Sequence, residues 1–275
     1  MNKKLIAVAV AGAIAGPTIM SAAGADVSVY GALYPRIAVQ DGDVTFEDGA
    51  SRFGLKSSKD MGNGNTVSGV IEVGFDVGNG KAASADKSRL GNVKYSGEWG
   101  SILLGSGWSI DGAAKLACVA GSQSCAQVGY QGRVADAIQI TGDLGGFSLQ
   151  GQTEFDGTDG VAAWALATTV GLGSLTLGAV YRDDGTDQTT HLGASTTLAG
   201  IYVGAELGDS SNGDDSWGLG VKISGIKIGM DEGSDGNQDL SASYDIDLGG
   251  STLSLRVTDN HPADTVLRAQ FNYSL

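Results

Sequence analysis

The sequence predicts an all-β fold, a transmembrane antiparallel β-barrel of about 16 strands. Three observations predict it. From Asp26 to Leu275 the chain repeats one unit, a period-2 segment of about 8 to 12 residues followed by a Gly/Asp/Asn turn. It carries 45 glycines and only three prolines at near-zero mean hydropathy, which suits strands and tight turns and penalises helices, where each glycine costs about 1 kcal/mol. Its connections alternate in kind along the chain, brief turns trading places with longer acidic loops.

Ahead of the repeat, Lys3 and Lys4, the apolar run Leu5 to Gly16 and the small residues Ala23-Gly24-Ala25 read as a signal peptide over residues 1–25, with the mature chain starting at Asp26. The apolar run is shorter than the roughly 20 residues a spanning helix needs, and no later segment is continuously apolar over that length. Residues 26–275 show no linker or composition break, so one domain is expected. The whole chain has 17 basic and 31 acidic residues and a formal charge of −14. That balance excludes nucleic acid as a partner, because polyanions need a basic surface.

The strands show themselves by alternation, since successive side chains point to opposite faces. Leu175, Leu177, Ala179 and Tyr181 oppose Thr176 and Arg182; Trp217, Leu219, Val221 and Ile223 oppose Lys222; Ile226, Ile228 and Met230 oppose Lys227. Leu240, Ala242, Tyr244, Ile246 and Leu248 oppose Ser241, Ser243, Asp245 and Asp247, and Leu253, Leu255 and Val257 oppose Ser254, Arg256 and Thr258. The last segment sets Leu267, Ala269, Phe271, Tyr273 and Leu275 against Arg268, Gln270, Asn272 and Ser274.

A soluble sandwich alternates too, and two features favour the membrane. Brief turns (Gly97-Glu98-Trp99-Gly100, Gly145-Gly146, Gly171-Leu172-Gly173, Ala199-Gly200, Gly249-Gly250) alternate with acidic loops (Gln40 to Asp48, Gly78 to Asp86, Asp183 to Asp187, Asp209 to Asp215, Asp231 to Asp239), the asymmetry of outer-membrane barrels. Charges of both signs also recur on the polar face, where a soluble core would place hydrocarbon. A water-filled lumen removes that cost, and about 16 strands close around one.

Cys118 and Cys125, seven residues apart in an exported chain, fit a local disulfide staple better than a metal site. An outer-membrane hydrolase would need a nucleophile with a base, and the only histidines, His191 and His261, accompany no triad or metal pattern. A secreted adhesin or solenoid would show a fixed short period, which is missing. Acidic clusters such as Asp214-Asp215 lack calcium-loop spacing and read as a solvated rim. Trp99, Tyr30, Tyr202 and Trp217 are expected in interfacial aromatic belts.

The chain resembles the general (trimeric) porins of Gram-negative bacteria over most of residues 26–275. Val29-Tyr30-Gly31-Ala32 resembles that family's opening strand, Ser51-Arg52-Phe53-Gly54-Leu55-Lys56 its second, Lys59 to Gly64 the following turn and Ile71-Glu72-Val73-Gly74-Phe75-Asp76 its third strand. Ser88-Arg89-Leu90-Gly91-Asn92-Val93 and Trp99 to Gly105 look like the fourth and fifth strands, and Gly132-Arg133-Val134-Ala135-Asp136-Ala137-Ile138 like the sixth.

The resemblance implies a passive diffusion channel for small hydrophilic solutes and ions in the outer membrane, with a substrate-specific channel as the alternative. It implies no cofactor, a homotrimer in lipid, and an inward-folded constriction loop, here Ser106 to Gln127, carrying Asp111 and Lys115. Arg52, Arg89 and Arg133 take the place of a basic ladder facing that loop, with Arg36, Lys56 and Glu72 joining the pore lining by parity. A positive wall against a negative loop would set a field across the constriction. Alternation from Val93 and Tyr95 turns Arg89 toward lipid unless a bulge intervenes. Gly31, Gly54 and Gly69 would leave the outer surface small enough for subunit packing. The chain departs from the family at Ala32 and Ser106, where basic residues are common, at its terminal Leu275, and in a loop without the usual acidic core.

Overall fold

The computed structural model describes residues 25–82, 88–119, 128–157, 160–233, 235–260 and 265–275, and these form one closed antiparallel sheet of 16 strands. Strand β1 spans 26–40 in two segments, Asp26–Leu33 and Pro35–Gln40, and β2 spans 43–62 as Asp43–Asp48 and Arg52–Gly62. Then follow β3 Asn65–Asp76, β4 Ser88–Gly97, β5 Gly100–Trp108, β6 Arg133–Leu144, β7 Phe147–Phe155 and β8 Val161–Leu172. The second half is β9 Leu175–Asp183, β10 Gln188–Leu198, β11 Ile201–Ser210, β12 Asp215–Ile223, β13 Ile226–Glu232, β14 Gln238–Asp247, β15 Ser251–Asn260 and β16 Thr265–Ser274. Each strand pairs with its chain neighbours, and β16 closes on β1 through Leu33↔Tyr273 and Ile37↔Ala269.

The break in β1 falls where the sequence dictates it. Pro35 has no N–H for the ladder, and β2 breaks beside it, where the Asp48 carboxylate accepts from the amides of Ala50 and Ser51. The Tyr34 amide, freed from the ladder, donates to Ser51 Oγ at 2.8 Å.

Burial is the reverse of a soluble protein's. Ile71 is 63% exposed, Leu166 58% and Leu207 60%, while Glu72 and Arg182 are 4% and Glu206 6%. Apolar side chains therefore line the outside and polar ones the inside, as a barrel in lipid requires. No described helix is long and apolar enough to cross a membrane.

On one rim, connections are two residues long at 63–64, 98–99, 145–146, 173–174, 199–200 and 224–225, and three at Leu248–Gly250. Asn63 and Gly64 both have positive φ, as a two-residue hairpin of this twist demands. The other rim corrects two expectations. Gln40 to Asp48 is not a loop: Asp41 (φ 52°) and Gly42 (φ 87°) make a tight hairpin, and Val44 and Phe46 alternate outward against Thr45 and Glu47. The acidic connections at 184–187, 211–214 and 233–237 are also shorter than read, because strand alternation continues into the aspartates.

Three face assignments change as well. Tyr30 and Tyr202 point into the barrel rather than to an interfacial belt, since Tyr30 Oη donates to Glu72 and Tyr202 Oη to the Leu116 carbonyl. Gly54 faces inward, directly beneath the Tyr30 ring, and so is not an outer packing site. Gly31 meets Phe53 and Leu275 on the outer face, as expected.

Candidate pore constriction

After β5 the chain turns into the barrel instead of outward. Ser109 Oγ caps a single 3₁₀ turn, Ile110–Ala114, by accepting from the Asp111 amide. Gln139 and Gln152, inward residues of β6 and β7, steer it: Gln139 Nε2 donates to the Trp108 carbonyl at 2.6 Å, and Gln152 Oε1 accepts from the Ile110 amide at 3.1 Å. Ile110 and Ala114 then bury against Ala165, Ala167 and Val180 of β8 and β9.

The loop lies flat on the inner wall because that wall has no side chains there. Gly178, Gly193, Gly204 and Gly220 stand on four successive strands, β9 to β12, and a Cβ on any of them would run into the loop carbonyls of Ala113, Ala114, Leu116 or Ala117. Polar side chains flank this glycine track and hold the loop. Tyr202 Oη donates to the Leu116 carbonyl at 2.6 Å, Glu206 Oε2 accepts from the Ala117 amide at 3.2 Å, and Ser216 Oγ accepts from Val128 at 3.3 Å. The inward loop covers His191, which is 6% exposed on β10.

Half a turn around the barrel from β10 and β12, β2 and β4 carry a basic cluster centred on Glu72 of β3. Arg89 Nε lies 2.6 Å from Glu72 Oε1, Arg52 Nε 3.5 Å from Oε2, and Tyr30 Oη 3.0 Å from Oε2. Arg89 points inward because Glu72 pairs with Leu90 and Val73 with Ser88, leaving Arg89 as the extra residue of a bulge. Arg133 sits exposed at the loop-side end of β6, 5.9 Å from the Trp108 ring and within electrostatic reach of Arg89 and Glu72. Lys56 is exposed on the same inner face as Arg52, its Nζ 5.7 Å from the Tyr30 ring centroid. Arg36 lies elsewhere on β1, paired at 2.7 Å with Glu47.

The loop does not supply the expected negative wall. Asp111 is 1% exposed, accepts from the Gln131 amide at 3.0 Å and faces Arg182 at 3.9 Å, so it is neutralised behind the loop and is not part of the pore lining. Arg182 is also held at 2.6 Å by Glu154. Lys115 is the remaining charge of the described loop, over the Tyr130 ring, and burial brings its ammonium down to about 8 against the pull of Glu206 and Asp111.

Cys118 is disulfide-bonded, and Cys125 and His261 lie outside the described residues. No group of three or more metal-ligating side chains occurs among the described residues. Sequence reasoning missed Tyr30, Glu154, Glu206 and the glycine track. The track had a signal: each of its glycines takes a polar-face position, where any side chain is tolerated by water.

A model of Gram-negative porins matches residues 7–275. The fold is similar to an anion-selective porin from Comamonas acidovorans (TM-score 0.69, 15% identity, covering 91% of this chain and 100% of that one). It is similar also to a mutant of Rh. blastica porin (0.74, 15%, 91% and 100%) and to the trimer form of OmpT from Vibrio cholerae (0.68, 12%, 92% and 100%). No curated protein matches the sequence. A closed barrel with an inside-out distribution of polar and apolar side chains, an inward loop and a family match over nearly the whole chain lead to one conclusion: this chain belongs to the Gram-negative porins and is a passive diffusion channel of the bacterial outer membrane.

Proposed function

We propose that this porin passes small hydrophilic solutes and ions through a constriction between the docked loop and the Glu72-centred cluster, and that it favours anions. The observation that carries the selectivity is charge balance. Arg52 and Arg89 share one carboxylate, with Arg133 within electrostatic reach, and the loop opposite contributes Lys115 while Asp111 is spent on Arg182. Net positive potential in a narrow, low-dielectric passage raises the local anion concentration. An anion-selective porin of similar fold supports the reading. Reversal potential across a planar bilayer under a KCl gradient tests it: anion preference is expected, and Arg52→Gln with Arg133→Gln should move the potential toward cations. A cation-selective wild-type channel would overturn it.

The protein functions as a homotrimer in lipid, a reading supported by the trimer form of a similar structure and by the small outer-face residues Gly31 and Gly69. Crosslinking in native membranes should trap trimers; monomers alone would refute this. Residues 1–25 act as a cleaved signal peptide, and Cys118 is stapled to Cys125.

A further inference from the structure

A second basic station stands on another part of the wall. Arg256 of β15 and Arg268 of β16 are direct cross-strand partners. Both face the lumen, because Leu255, Val257 and Leu267 beside them are exposed outward. Like charges set directly opposite on a sheet repel, and here the only carboxylates acting on them, Asp245 and Glu47, act from a distance. The nearby carboxylates are already committed: Glu47 is paired with Arg36 at 2.7 Å and Asp245 with Lys227 at 2.6 Å. Among the described residues neither guanidinium makes an ion pair. Arg256 Nε and Arg268 Nε and Nη1 are buried without a hydrogen-bond partner.

Two uncompensated positive charges and unmet planar N–H donors on adjacent strands define the chemistry that fits. We infer that Arg256 and Arg268 form an anion-binding station for a compact dianionic oxyanion, a phosphate group above all, apart from the Glu72-centred cluster. Guanidinium forks match oxyanion geometry bidentately, so one such ligand answers both charges and draws on unmet donors of both arginines. Arg36, whose charge reaches both arginines, borders the station. The inference rests on the pore reading, since the ligand reaches the station through the lumen.

The test uses the folded, full mature porin in a planar bilayer at about pH 8, where phosphate is mostly dianionic. Inorganic phosphate titrated against a chloride current should block it saturably. Arg256→Gln with Arg268→Gln should raise the half-blocking concentration about tenfold or more, and Arg256→Lys with Arg268→Lys should recover only part of that loss, because ammonium keeps the charge but not the fork. Calorimetric titration of wild-type protein with phosphate should show saturable binding even if a variant folds poorly. A conducting wild type without phosphate block or binding, or a glutamine pair blocked at the wild-type concentration, would overturn the station. Absence of any conductance would instead overturn the pore reading.

Discussion

Gly204→Ala isolates the docking of the constriction loop. Gly204 lies on β11 between Tyr202 and Glu206, three consecutive inward positions that hold Leu116 and Ala117. A Cβ at 204 would overlap the Leu116 carbonyl oxygen, far inside the 3.0 Å at which real Cβ contacts begin, with Ala117 Cα 3.2 Å away. Strand β11 is fixed by ladders on both sides, so the loop must yield, by about 1 Å in a wall packed without slack. A shift of that size breaks the bond from Tyr202 Oη to Leu116 and the one from Ala117 to the Glu206 carboxylate. A neutral bond contributes about 1 kcal/mol and one to a charged group about 1.5–3, so loop docking weakens by about 3 kcal/mol. Exchange of the Ala117 amide should then quicken about 100-fold. Hydrogen exchange on the peptide spanning 110–119 reads this, and Gly171→Ala, with open space around its Cβ, should leave it unchanged. Wild-type protection of Ala117 in a folded Gly204→Ala barrel would refute the glycine track as the loop's seat.

Glu72→Gln removes the shared partner of Arg52 and Arg89; because Arg52 stays partly wet, the loss should be about 2–3 kcal/mol, below the full value for a broken buried pair, seen as a lower urea midpoint together with a reversal potential shifted toward anions. Lys115 is held down to about 8, so it is charged below that pH and neutral above it, and anion preference should fall as pH rises through 8 in wild type but stay flat across that range in Lys115→Gln. On the loop rim, hydrogen bonds from Ser210 and Ser211 hold the Asp187 carboxyl below its ordinary value. The order this tie lends is complete above the ordinary carboxylate pKa and is lost as pH falls through the lowered one. Asp187→Ala should therefore speed exchange of residues 211–214 at neutral pH and be silent in strong acid.

The barrel was legible because lipid and water impose opposite demands on alternate residues, so Leu267, Ala269, Phe271 and Tyr273 against Arg268, Gln270 and Asn272 already fixed two faces. Alternation failed where backbone geometry departs from period 2. Arg89 sits in a bulge, and a bulge is a property of two strands in register, invisible in one. Loop lengths were overestimated because aspartate was read as a breaker, although Asp43, Asp209 and Asp231 continue strands on the wet inner face or at its rim. Asp111 was misassigned for another reason. The loop's resemblance and the residue's charge suited the pore, but its environment depends on Arg182, 71 positions away in sequence and brought near only by closure of the barrel.

The rim opposite the two-residue turns carries connections of two residues at 41–42, four at 184–187 and 211–214 and five at 233–237. Spans so short cannot reach across the mouth, so these four stretches contribute nothing to sieving. Among the described residues the narrowing comes from a single stretch of chain laid along one wall and facing the Glu72-centred cluster. A cleavage or insertion within 110–119 would therefore widen the bore at one stroke while leaving the charges on its wall, and comparable changes at 184–187 or 233–237 leave the bore as it was.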